Sequence, residues 1–368
     1  MDKLKVIISG GGTGGHIFPA IAIANTIKKR YPDSKILFVG AEGRMEMEKV
    51  PAAGYEIIGI KVSGFNRKNL LKAFSTIWQF RKSLKKAKEV IKDFQPDIAI
   101  GVGGYASAPT LYKASSLGIP TLIQEQNSYA GITNKFLGKK ASKICVAYDG
   151  MDKFFPKDRI VMTGNPIREE LMSAAITKEE ACKEFNLDPS KKTILLIGGS
   201  LGSRTLNKSL LAAIDKLAAS DVQVLWQCGK LYSFELNMDI EGRGNPSNIH
   251  LHEFITRMDL AYKAADLVIS RAGASSISEL CLLGKPTILV PSPNVSEDHQ
   301  TKNAMALVDK EAAVLITDME AMNVLVDKAL EMVNDEDQLK KLAENIQQLA
   351  QPDSANRIVD EAIKLIKR

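Results

Sequence analysis

The sequence predicts an α/β protein built from two Rossmann-like parallel sheets, and three observations lead to this prediction. Short apolar runs alternate with helical patterns along most of the chain. The alternation restarts after Gly164-Asn165-Pro166, and each half opens with a glycine-rich loop behind its first apolar run. The length of 368 residues also favours two domains. We therefore expect a first domain over residues 1–164, a second over 165–349, and a ligand-binding cleft between them.

The strands of both sheets are predicted at short apolar runs bounded by turn-forming residues. In the first half they cover residues 5–9, 36–40, 55–60, 97–102, 120–124, 143–147 and 160–163. In the second half they cover residues 193–197, 222–226, 249–252, 267–270, 287–290 and 313–316. Helical patterns separate most of these strands, for example at 19–29 and 108–117. The last stretch, 335–367, is helical, and we expect the C-terminal helix at about 350–368 to pack back on the first domain.

The composition is that of a soluble globular protein, with 45% hydrophobic and 25% charged residues. The apolar runs are too short to span a bilayer, and the first strand lies so close to Met1 that no signal peptide is expected. Four cysteines lie far apart without a CxxC pair, which indicates reduced, mostly buried thiols of a cytosolic protein rather than metal ligands. They are Cys145, Cys182, Cys228 and Cys281.

Charge is distributed unevenly along the chain. Residues 1–164 carry 26 Lys and Arg against 13 Asp and Glu, whereas the remainder carries 23 against 30. The stretch 65–94 holds nine basic and two acidic residues, with Leu70, Phe74 and Trp78 at helical spacing. Two interpretations remain open: this helix lies on an anionic membrane surface, or its apolar stripe faces the core and its basic face is solvated. Nucleic acid is not expected as a partner, because aromatics are few and no binding motif accompanies the charge.

Three glycine-rich loops follow predicted strands, at residues 10–15, 101–104 and 198–202. Glycine lets backbone N–H groups approach a diphosphate closely, although a tight turn that binds nothing is the alternative for any single loop. Gly10, Gly12 and Gly15 also fit the dinucleotide-binding fingerprint, with Glu42 as the ribose acid, but the dense glycines and the following histidine make this match weak. A P-loop is excluded, because no Gly-Lys-Ser/Thr closes any of the three loops.

The stretch 266–304 combines a strand, a tight turn and a helix N-terminus, an arrangement suited to phosphate or sugar oxygens. The helix is predicted from Ser275 to about Leu283, with Gly284 ending it. Glu279 lies one turn into the helix, where its carboxylate could take both hydroxyls of a ribose. Alternatively, Ser276 and Glu279 form a capping box and bind no ligand.

No metal site or cofactor is expected. His250 and His252 alternate on one predicted strand, and no third ligand occurs at matching spacing, so we interpret them as ordinary strand residues. The triplet Asp335-Glu336-Asp337 begins a predicted helix, where acidic side chains interact favourably with the macrodipole.

The chain resembles the MurG family in seven motifs that occur in the family's order. They are GGGTGGHIFPA at 10–20, GGYASAP at 103–109, EQN at 125–127, GNPIR at 164–168, GGSLGS at 198–203, RAGASSISE at 271–279 and DHQ at 298–300. The resemblance implies a GT-B fold with two Rossmann-like domains facing a cleft. It also implies transfer of N-acetylglucosamine from UDP-N-acetylglucosamine to undecaprenyl-diphosphate-muramyl-pentapeptide, the step of peptidoglycan synthesis that converts lipid I to lipid II.

The resemblance further implies which residues contact each substrate. In the second domain the implied donor-binding residues are Arg168, Ser200, Ile255, Ala274, Ser275, Ser276, Ile277, Ser278, Glu279 and Gln300. From the first domain, Thr13, Gly14, Gly15 and Asn127 are implied to contribute to donor binding. At the acceptor diphosphate we expect Gly10, Gly11, Gly12, Gly103 and Gly104.

An inverting transfer needs a general base near the acceptor hydroxyl. His16 is the first candidate, and Glu125 and Tyr105 are the runners-up. The alternative for His16 is that it orients the loop or contacts the donor phosphate. The implied location is peripheral, at the cytoplasmic face of the bacterial cell membrane, with the basic stretch 65–94 holding the first domain against anionic lipid.

Three other functions compete with this one. A UDP-N-acetylglucosamine 2-epimerase of the same fold needs neither a lipid acceptor nor a basic amphipathic helix. A nicotinamide dehydrogenase would use the first glycine loop alone. A non-catalytic membrane-binding module would not need three glycine loops.

Overall fold

The computed structural model describes residues 4–62, 70–167, 171, 176–199 and 201–366, without the side chains at positions 70–77 and 296. Arg168, Ser200 and positions 65–69 of the basic stretch therefore lie outside the described residues. The chain divides into two compact units: unit 1 comprises residues 1–167 and 351–368, and unit 2 comprises residues 168–350.

Unit 1 contains a seven-stranded parallel sheet in the order β3-β2-β1-β4-β5-β6-β7. Its strands are β1 (Lys5–Ser9), β2 (Lys35–Ala41), β3 (Glu56–Ile60), β4 (Ile98–Gly101), β5 (Thr121–Glu125), β6 (Lys143–Val146) and β7 (Ile160–Met162). Its helices are α1 (Gly14–Arg30), α2 (Glu46–Ala52), α3 (Leu70–Phe94), α4 (Ser107–Ser116), α5 (Ile132–Gly138) and, from the end of the chain, α15 (Ser354–Ile366).

Unit 2 contains a six-stranded parallel sheet in the order β10-β9-β8-β11-β12-β13. Its strands are β8 (Thr193–Ile197), β9 (Gln223–Gln227), β10 (Ile249–His252), β11 (Leu267–Ser270), β12 (Thr287–Leu289) and β13 (Val314–Leu315). Its helices are α6 (Lys178–Glu184), α7 (Arg204–Ala212), α8 (Ile214–Ala218), α9 (Ser233–Glu241), α10 (Met258–Ala264), α11 (Ala274–Leu283), α12 (His299–Val308), α13 (Ala321–Val333) and α14 (Glu336–Gln347).

The prediction of two doubly wound parallel sheets is confirmed, and the architecture is that of the GT-B type. Each predicted strand is present, and its ends differ from the prediction by at most one residue. The strands were recognisable because parallel strands are buried on both faces and read as continuous apolar runs. In both sheets the strand order reverses beside the first strand, between β1 and β4 and between β8 and β11. Ligands of such sheets bind at this switch point, outside the carboxyl ends of the strands.

The two faces of the unit 1 sheet are covered by different helices. One face packs on α1 and α15, through apolar side chains such as Ile23 and Ile358. The other packs on α3, α4 and α5, through side chains such as Val90 and Leu111. Arg30 of α1 also donates to Asp360 of α15 at 2.6 Å. The last helix of the chain therefore completes the core of unit 1.

Helix α1 begins earlier than the pattern at 19–29 suggests. Its first residue is Gly14, directly behind the glycine loop, and the carbonyl of Thr13 accepts from the amides of His16 and Ile17. Pro19 consequently lies inside the helix. The glycines carry no side chain that could mark the first turn as helical in the sequence.

The four cysteines are buried and unpaired, as predicted. Burial raises the pKa of the Cys145 and Cys281 thiols to about 12, so both stay protonated and unreactive near neutral pH. Among the described residues, no helix has both the length and the apolar character needed to cross a bilayer.

Candidate active site

Both glycine loops of unit 1 lie at its switch point, since residues 10–13 follow β1 and residues 102–106 follow β4. They pack backbone against backbone: a side chain added at Gly104 would lie 2.3 Å from the carbonyl oxygen of Gly11. Gly103 and Gly104 both have positive φ angles, +92° and +85°, which favour glycine. The sequence could place each loop behind a strand, but only the sheet order brings the two together.

The inner side of the first loop is occupied by a carboxylate that sequence reasoning missed. Glu46, the first residue of α2, is only 1% exposed. Its Oε2 accepts from the amide of Gly12 at 2.8 Å, and its Oε1 accepts from the amide of Ala41 at 2.9 Å. Glu42, the acid proposed for a dinucleotide ribose, is exposed instead. The Gly12 amide, expected at the acceptor diphosphate, thus already has an anionic partner inside the protein.

Gly10 and Gly11 serve the packing of this loop. A side chain at Gly10 would meet Val102 at 2.1 Å, and one at Gly11 would meet the Glu46 carboxylate at 2.2 Å. Both glycines are buried, whereas Gly12, Thr13 and Gly15 are exposed. Direct contact with a ligand is therefore favoured for the exposed end of the loop beyond Gly12, at residues 13–15, because the Gly12 amide already donates to Glu46.

His16 lies in the first turn of α1, half-buried against the second loop. Its Nδ1 is 3.3 Å from the hydroxyl oxygen of Thr13. The other side of the ring packs on Gly103, where an added side chain would lie 2.9 Å from Nε2. These contacts fix the ring plane at the switch point, a position that suits a general base.

Glu125, a runner-up for the base, is held differently. It is 1% exposed, and its two oxygens accept from the amides of Asn127 and Gly131 and from the side chains of Asn127 and Asn134, at 2.9–3.3 Å. Both oxygens of this buried carboxylate therefore already accept hydrogen bonds from the protein itself. This geometry favours a role in holding the turn that carries Asn127. Tyr105, the other runner-up, is 52% exposed beside Gly104.

The switch point of unit 2 is formed by residues 198, 199 and 201–203 behind β8 and by residues 271–273 behind β11. Here a neutral side chain holds the glycine loop. The Gln227 Oε1 accepts from the amide of Gly199 at 2.9 Å, and its Nε2 donates to the carbonyl of Gly199 at 2.9 Å. Gly202 packs directly on Gly229, whose added side chain would lie 2.0 Å from the Gly202 nitrogen.

Helix α11 begins at Ala274 with Gly273 as its N-cap, and no side chain caps it. The first intrahelical bond runs from the Ile277 amide to the Gly273 carbonyl, so the three preceding amides have no intrahelical acceptor. Ser278 bonds back to the Ala274 carbonyl at 3.0 Å. The predicted end at Gly284 is confirmed, and this residue has left-handed backbone angles.

The capping-box interpretation of Glu279 is wrong. The N-cap is Gly273, and Ser276 lies inside the helix. Glu279 is therefore too far along the helix to bond to the backbone N–H of the N-cap residue. Glu279 is instead buried, and its Oε2 accepts from the hydroxyl of Tyr262 on α10 at 2.9 Å. Tyr262 thus orients a carboxylate in the first turns behind the switch point.

Arg271 connects the carboxyl ends of four strands, a role that no local pattern in the sequence indicates. Its guanidinium donates to the Ser203 hydroxyl at 2.9 Å, to the Val290 carbonyl at 3.0 Å and to Asp318 at 2.6 Å. The other oxygen of Asp318 accepts from Thr205 at 2.9 Å. A cavity of about 310 Å³ opens beside Asp318, between Pro291, Asp298, Thr301 and Met319 among others.

The remaining predicted donor residues are dispersed around the unit 2 sheet. Ile255 is buried behind β10. The Gln300 Oε1 accepts from the amide of Ser292 at 2.8 Å, which leaves its Nε2 as a donor for a ligand. Just before it, Glu297 and Asp298 both have left-handed backbone angles, with φ of 56° and 53°. Two adjacent residues other than glycine with left-handed backbone angles store strain, as segments that contact ligands often do.

Helix α3 has two distinct faces where its side chains are described. Ser83, Ala87, Val90 and Ile91 are buried on the unit 1 core. Trp78 is 61% exposed, with the Lys82 ammonium 3.5 Å above its ring. Arg81, Lys82, Lys85 and Lys86 are exposed as well. The core-facing interpretation therefore describes the inner face, whereas Trp78 belongs to the basic outer face.

The described residues contain no cluster of three or more His, Cys, Asp or Glu side chains that could hold a metal ion. The Asp335-Glu336-Asp337 triplet starts α14 as predicted, with Asp335 as N-cap accepting from the Gln338 amide at 2.9 Å.

Two family models match the chain. Residues 6–146 match the glycosyltransferase family 28 N-terminal domain, and residues 193–358 match the glycosyltransferase family 28 C-terminal domain. Over 369 aligned positions the chain is 62% identical to the UDP-N-acetylglucosamine–N-acetylmuramyl-(pentapeptide) pyrophosphoryl-undecaprenol N-acetylglucosamine transferase of Parabacteroides distasonis, covering 100% of both chains.

Solved structures give the same picture of the fold. The crystal structure of Acinetobacter baumannii MurG is similar, with a TM-score of 0.78, 28% identity and coverage of 98% of this chain and 99% of that one. The UDP-GlcNAc 2-epimerase of Neisseria meningitidis, bound to UDP-GlcNAc, has a TM-score of 0.66 at 13% identity, covering 98% and 100%. At that identity the likeness to the epimerase is one of fold alone.

Proposed function

Because the chain belongs to the MurG family within glycosyltransferase family 28, we propose that it transfers N-acetylglucosamine from UDP-N-acetylglucosamine to undecaprenyl-diphosphate-muramyl-pentapeptide. This transfer converts lipid I to lipid II in peptidoglycan synthesis. The observation that carries the proposal is the 62% identity, over the full length of both chains, to a relative named for this reaction. The epimerase alternative has only fold-level likeness in its support and is not favoured.

The donor is proposed to bind at the switch point of unit 2. The three amides at the start of α11 that have no intrahelical acceptor would bind the diphosphate, because helix N-termini attract anions. The Glu279 carboxylate, oriented by Tyr262 at 2.9 Å, would accept from both ribose hydroxyls. Ile255 would contact the base, and the Gln300 amide group would donate to the sugar. Arg168 and Ser200, assigned to the diphosphate by family resemblance, complete this set.

The acceptor is proposed to bind at the switch point of unit 1. The family resemblance assigns residues 13–15 to the donor, whereas we propose that their exposed amides, together with the loop at Gly103 and Gly104, contact the acceptor diphosphate. Asn127, in the turn that Glu125 holds, would contribute to binding of the donor. Since the Gly12 amide donates to Glu46, ligand contact is assigned to the exposed end of the loop rather than to Gly10–Gly12.

The reaction is proposed to be a single in-line displacement with inversion. His16 removes the proton of the acceptor hydroxyl, whose oxygen attacks the anomeric carbon of N-acetylglucosamine. The bond from that carbon to the UDP oxygen breaks, and UDP leaves with the electron pair. Amide dipoles at the α11 N-terminus stabilise the growing negative charge of UDP. No step of this reaction is assigned to a metal ion, and activity is expected to survive chelation by EDTA.

We assign membrane contact to the outer face of α3. Exposed Trp78 with Arg81, Lys82, Lys85 and Lys86 combines an interfacial aromatic with basic side chains, which suits the surface of an anionic bilayer. Lipid, rather than nucleic acid, is therefore the proposed partner of this face. It would keep the enzyme peripheral at the cytoplasmic face of the cell membrane, beside its lipid-linked acceptor.

The function is tested by incubating the full chain with UDP-N-acetylglucosamine, with and without a polyprenyl-diphosphate muramyl-pentapeptide. UDP release and a disaccharide-bearing lipid are expected only when the acceptor is present. Acceptor-independent conversion of the donor to its 2-epimer would refute the transferase assignment. Collapse of activity on addition of EDTA would refute the metal-free mechanism.

The membrane assignment is tested with the triple variant Lys82→Gln, Lys85→Gln, Lys86→Gln and vesicles containing phosphatidylglycerol. At about 1 kcal/mol per lysine, vesicle affinity should fall on the order of a hundredfold. Turnover of a water-soluble acceptor should not change. A control with the same change in charge is supplied by three exposed lysines of unit 2, Lys208, Lys216 and Lys341. Unchanged vesicle binding by the α3 variant would overturn the assignment.

A further inference from the structure

We propose that Glu46 is a positioning residue for acceptor transfer: it holds the first glycine loop in the shape that presents its exposed amides and His16. This inference deepens the proposed function and rests on it. Glu46 contacts the loop at Gly11 and Gly12 rather than at residues 13–15, so its action is through the loop backbone.

The carboxylate of Glu46 bridges two neighbouring strands at their carboxyl ends. One oxygen accepts from the Gly12 amide behind β1, and the other accepts from the Ala41 amide at the end of β2, at 2.8 and 2.9 Å. The side chain is 1% exposed. A buried carboxylate is retained only where donors compensate its lost hydration, and here both donors are backbone groups that must stay in place.

Two glycines make room for this side chain. A side chain at Gly11 would lie 2.2 Å from the Glu46 carboxyl carbon, and one at Gly40 would lie 2.6 Å from the Glu46 Cγ. Glu46 therefore fills a space that is open only because glycine stands at both positions, one in the loop and one in β2. The dense glycines of this loop, which in the sequence suggest a phosphate cradle, are partly explained by the protein's own carboxylate.

The contact continues from Glu46 towards the candidate base. Gly11 packs on Gly104, whose added side chain would lie 2.3 Å from the Gly11 carbonyl oxygen. The adjacent Gly103 packs on His16, at 2.8 Å by the same measure. Displacement of Glu46 thus changes both loops that face the acceptor and the surface against which His16 rests.

The charge of Glu46 also determines from which side an anion can approach. A diphosphate is repelled from the inner side of the loop, where Glu46 lies, and meets the amides of residues 13–15 from the exposed side. A glutamine of the same shape can accept from only one of the two amides, because its NH₂ group opposes the other N–H. Shape alone therefore does not replace the carboxylate.

The test compares wild type with Glu46→Gln, Glu46→Asp and Gly40→Ala, the last of which pushes on Glu46 from β2 without touching the loop. For Glu46→Gln and Gly40→Ala, kcat/KM for the acceptor should fall about 10²-fold, as expected for a catalytic loop misplaced by an ångström. Glu46→Asp, which keeps the charge on a shorter side chain, should fall between these and wild type. The KM for UDP-N-acetylglucosamine and a UDP-binding stoichiometry of one should be unchanged. Glu48→Gln, an exposed acid of the same helix, is the matched control.

Two outcomes overturn the inference. One is wild-type acceptor kinetics in Glu46→Gln. The other is a loss of UDP-binding stoichiometry in step with activity while both KM values stay unchanged, since that pattern reports a smaller folded fraction and a merely structural role. If wild type itself transfers no sugar to the lipid acceptor, the proposed function fails, and this result is distinct from either outcome for Glu46.

Discussion

The first glycine loops of the two units occupy equivalent places in equivalent sheets but are held by opposite chemistry. In unit 1 the anionic Glu46 accepts from the Gly12 amide. In unit 2 the neutral Gln227 accepts from the Gly199 amide, and the cationic Arg271 bonds to Ser203 at the end of the loop. Without a carboxylate at its amide, the unit 2 loop does not repel a diphosphate, whereas the anionic anchor of unit 1 confines the ligand to the exposed end of the loop. The two loops thus fit different tasks despite a shared fold.

If unit 1 serves the acceptor and the chemistry, and unit 2 serves the donor, variants should separate kcat from donor affinity. The largest effect is expected for His16→Ala: kcat should fall by about 10² to 10⁴, the contribution of a general base, with UDP affinity unchanged. Steady-state turnover and calorimetric UDP binding measure the two quantities. Near-full turnover with intact donor affinity would remove His16 from this role.

Glu279→Gln should have the converse effect in unit 2. Hydrogen bonds from ribose hydroxyls to a carboxylate contribute about 1.5–3 kcal/mol, so UDP affinity should fall about 10- to 100-fold. Comparison with 2′-deoxy-UDP isolates the contact, because the variant should bind both nucleotides with similar affinity. Preserved discrimination between the two nucleotides would show that Glu279 does not contact the ribose.

Gln227→Ala tests the neutral anchor itself. It leaves the Gly199 amide without a partner, which should lower stability by about 1–3 kcal/mol and weaken UDP binding several-fold. Gln223, at the other end of β9 and equally buried, bonds to the backbone of Asp188. Gln223→Ala should therefore cost similar stability, measured by urea unfolding, without changing UDP affinity. Equal effects of both variants on UDP binding would contradict a specific role for the loop anchor.

The smallest effect concerns pH. Burial lowers the pKa of His250 and His252 on β10, and the His250 Nε2 is buried without a hydrogen-bond partner among the described residues. A histidine whose folded pKa is depressed contributes stability above its unfolded pKa of about 6.5 and loses it as pH falls below that value. The midpoint temperature of thermal unfolding of unit 2 should be lower by roughly 2 °C at pH 5 than at pH 7. In a His250→Leu, His252→Leu variant this shift should shrink, and an unchanged shift would assign the acid sensitivity to other groups.

The candidate site was only partly accessible to sequence reasoning. The loops and the α11 N-terminus could be predicted because glycine clusters, small residues and strand ends are local signals. The roles of Glu46 and Gln227 could not be predicted, because Glu46 bonds to a loop residue 34 positions away in the chain and Gln227 to one 28 positions away. Glu125 had the right chemistry for a base, but its four donors come from a turn whose shape the sequence does not specify.

The amino-acid sequence by itself determined the two parallel sheets and their strands, because a strand buried on both faces is a continuous apolar run in the sequence. It also determined the family of the chain, because the order of the motifs can be read along the sequence. Only the tertiary structure decided which loops meet at a switch point and which carboxylates accept hydrogen bonds from the protein's own amides. It also decided that Tyr262 orients Glu279 and that Asp318 pairs with Arg271. These contacts depend on strand order and on side-chain direction across the sheet. Neither is encoded in the spacing of residues along the chain.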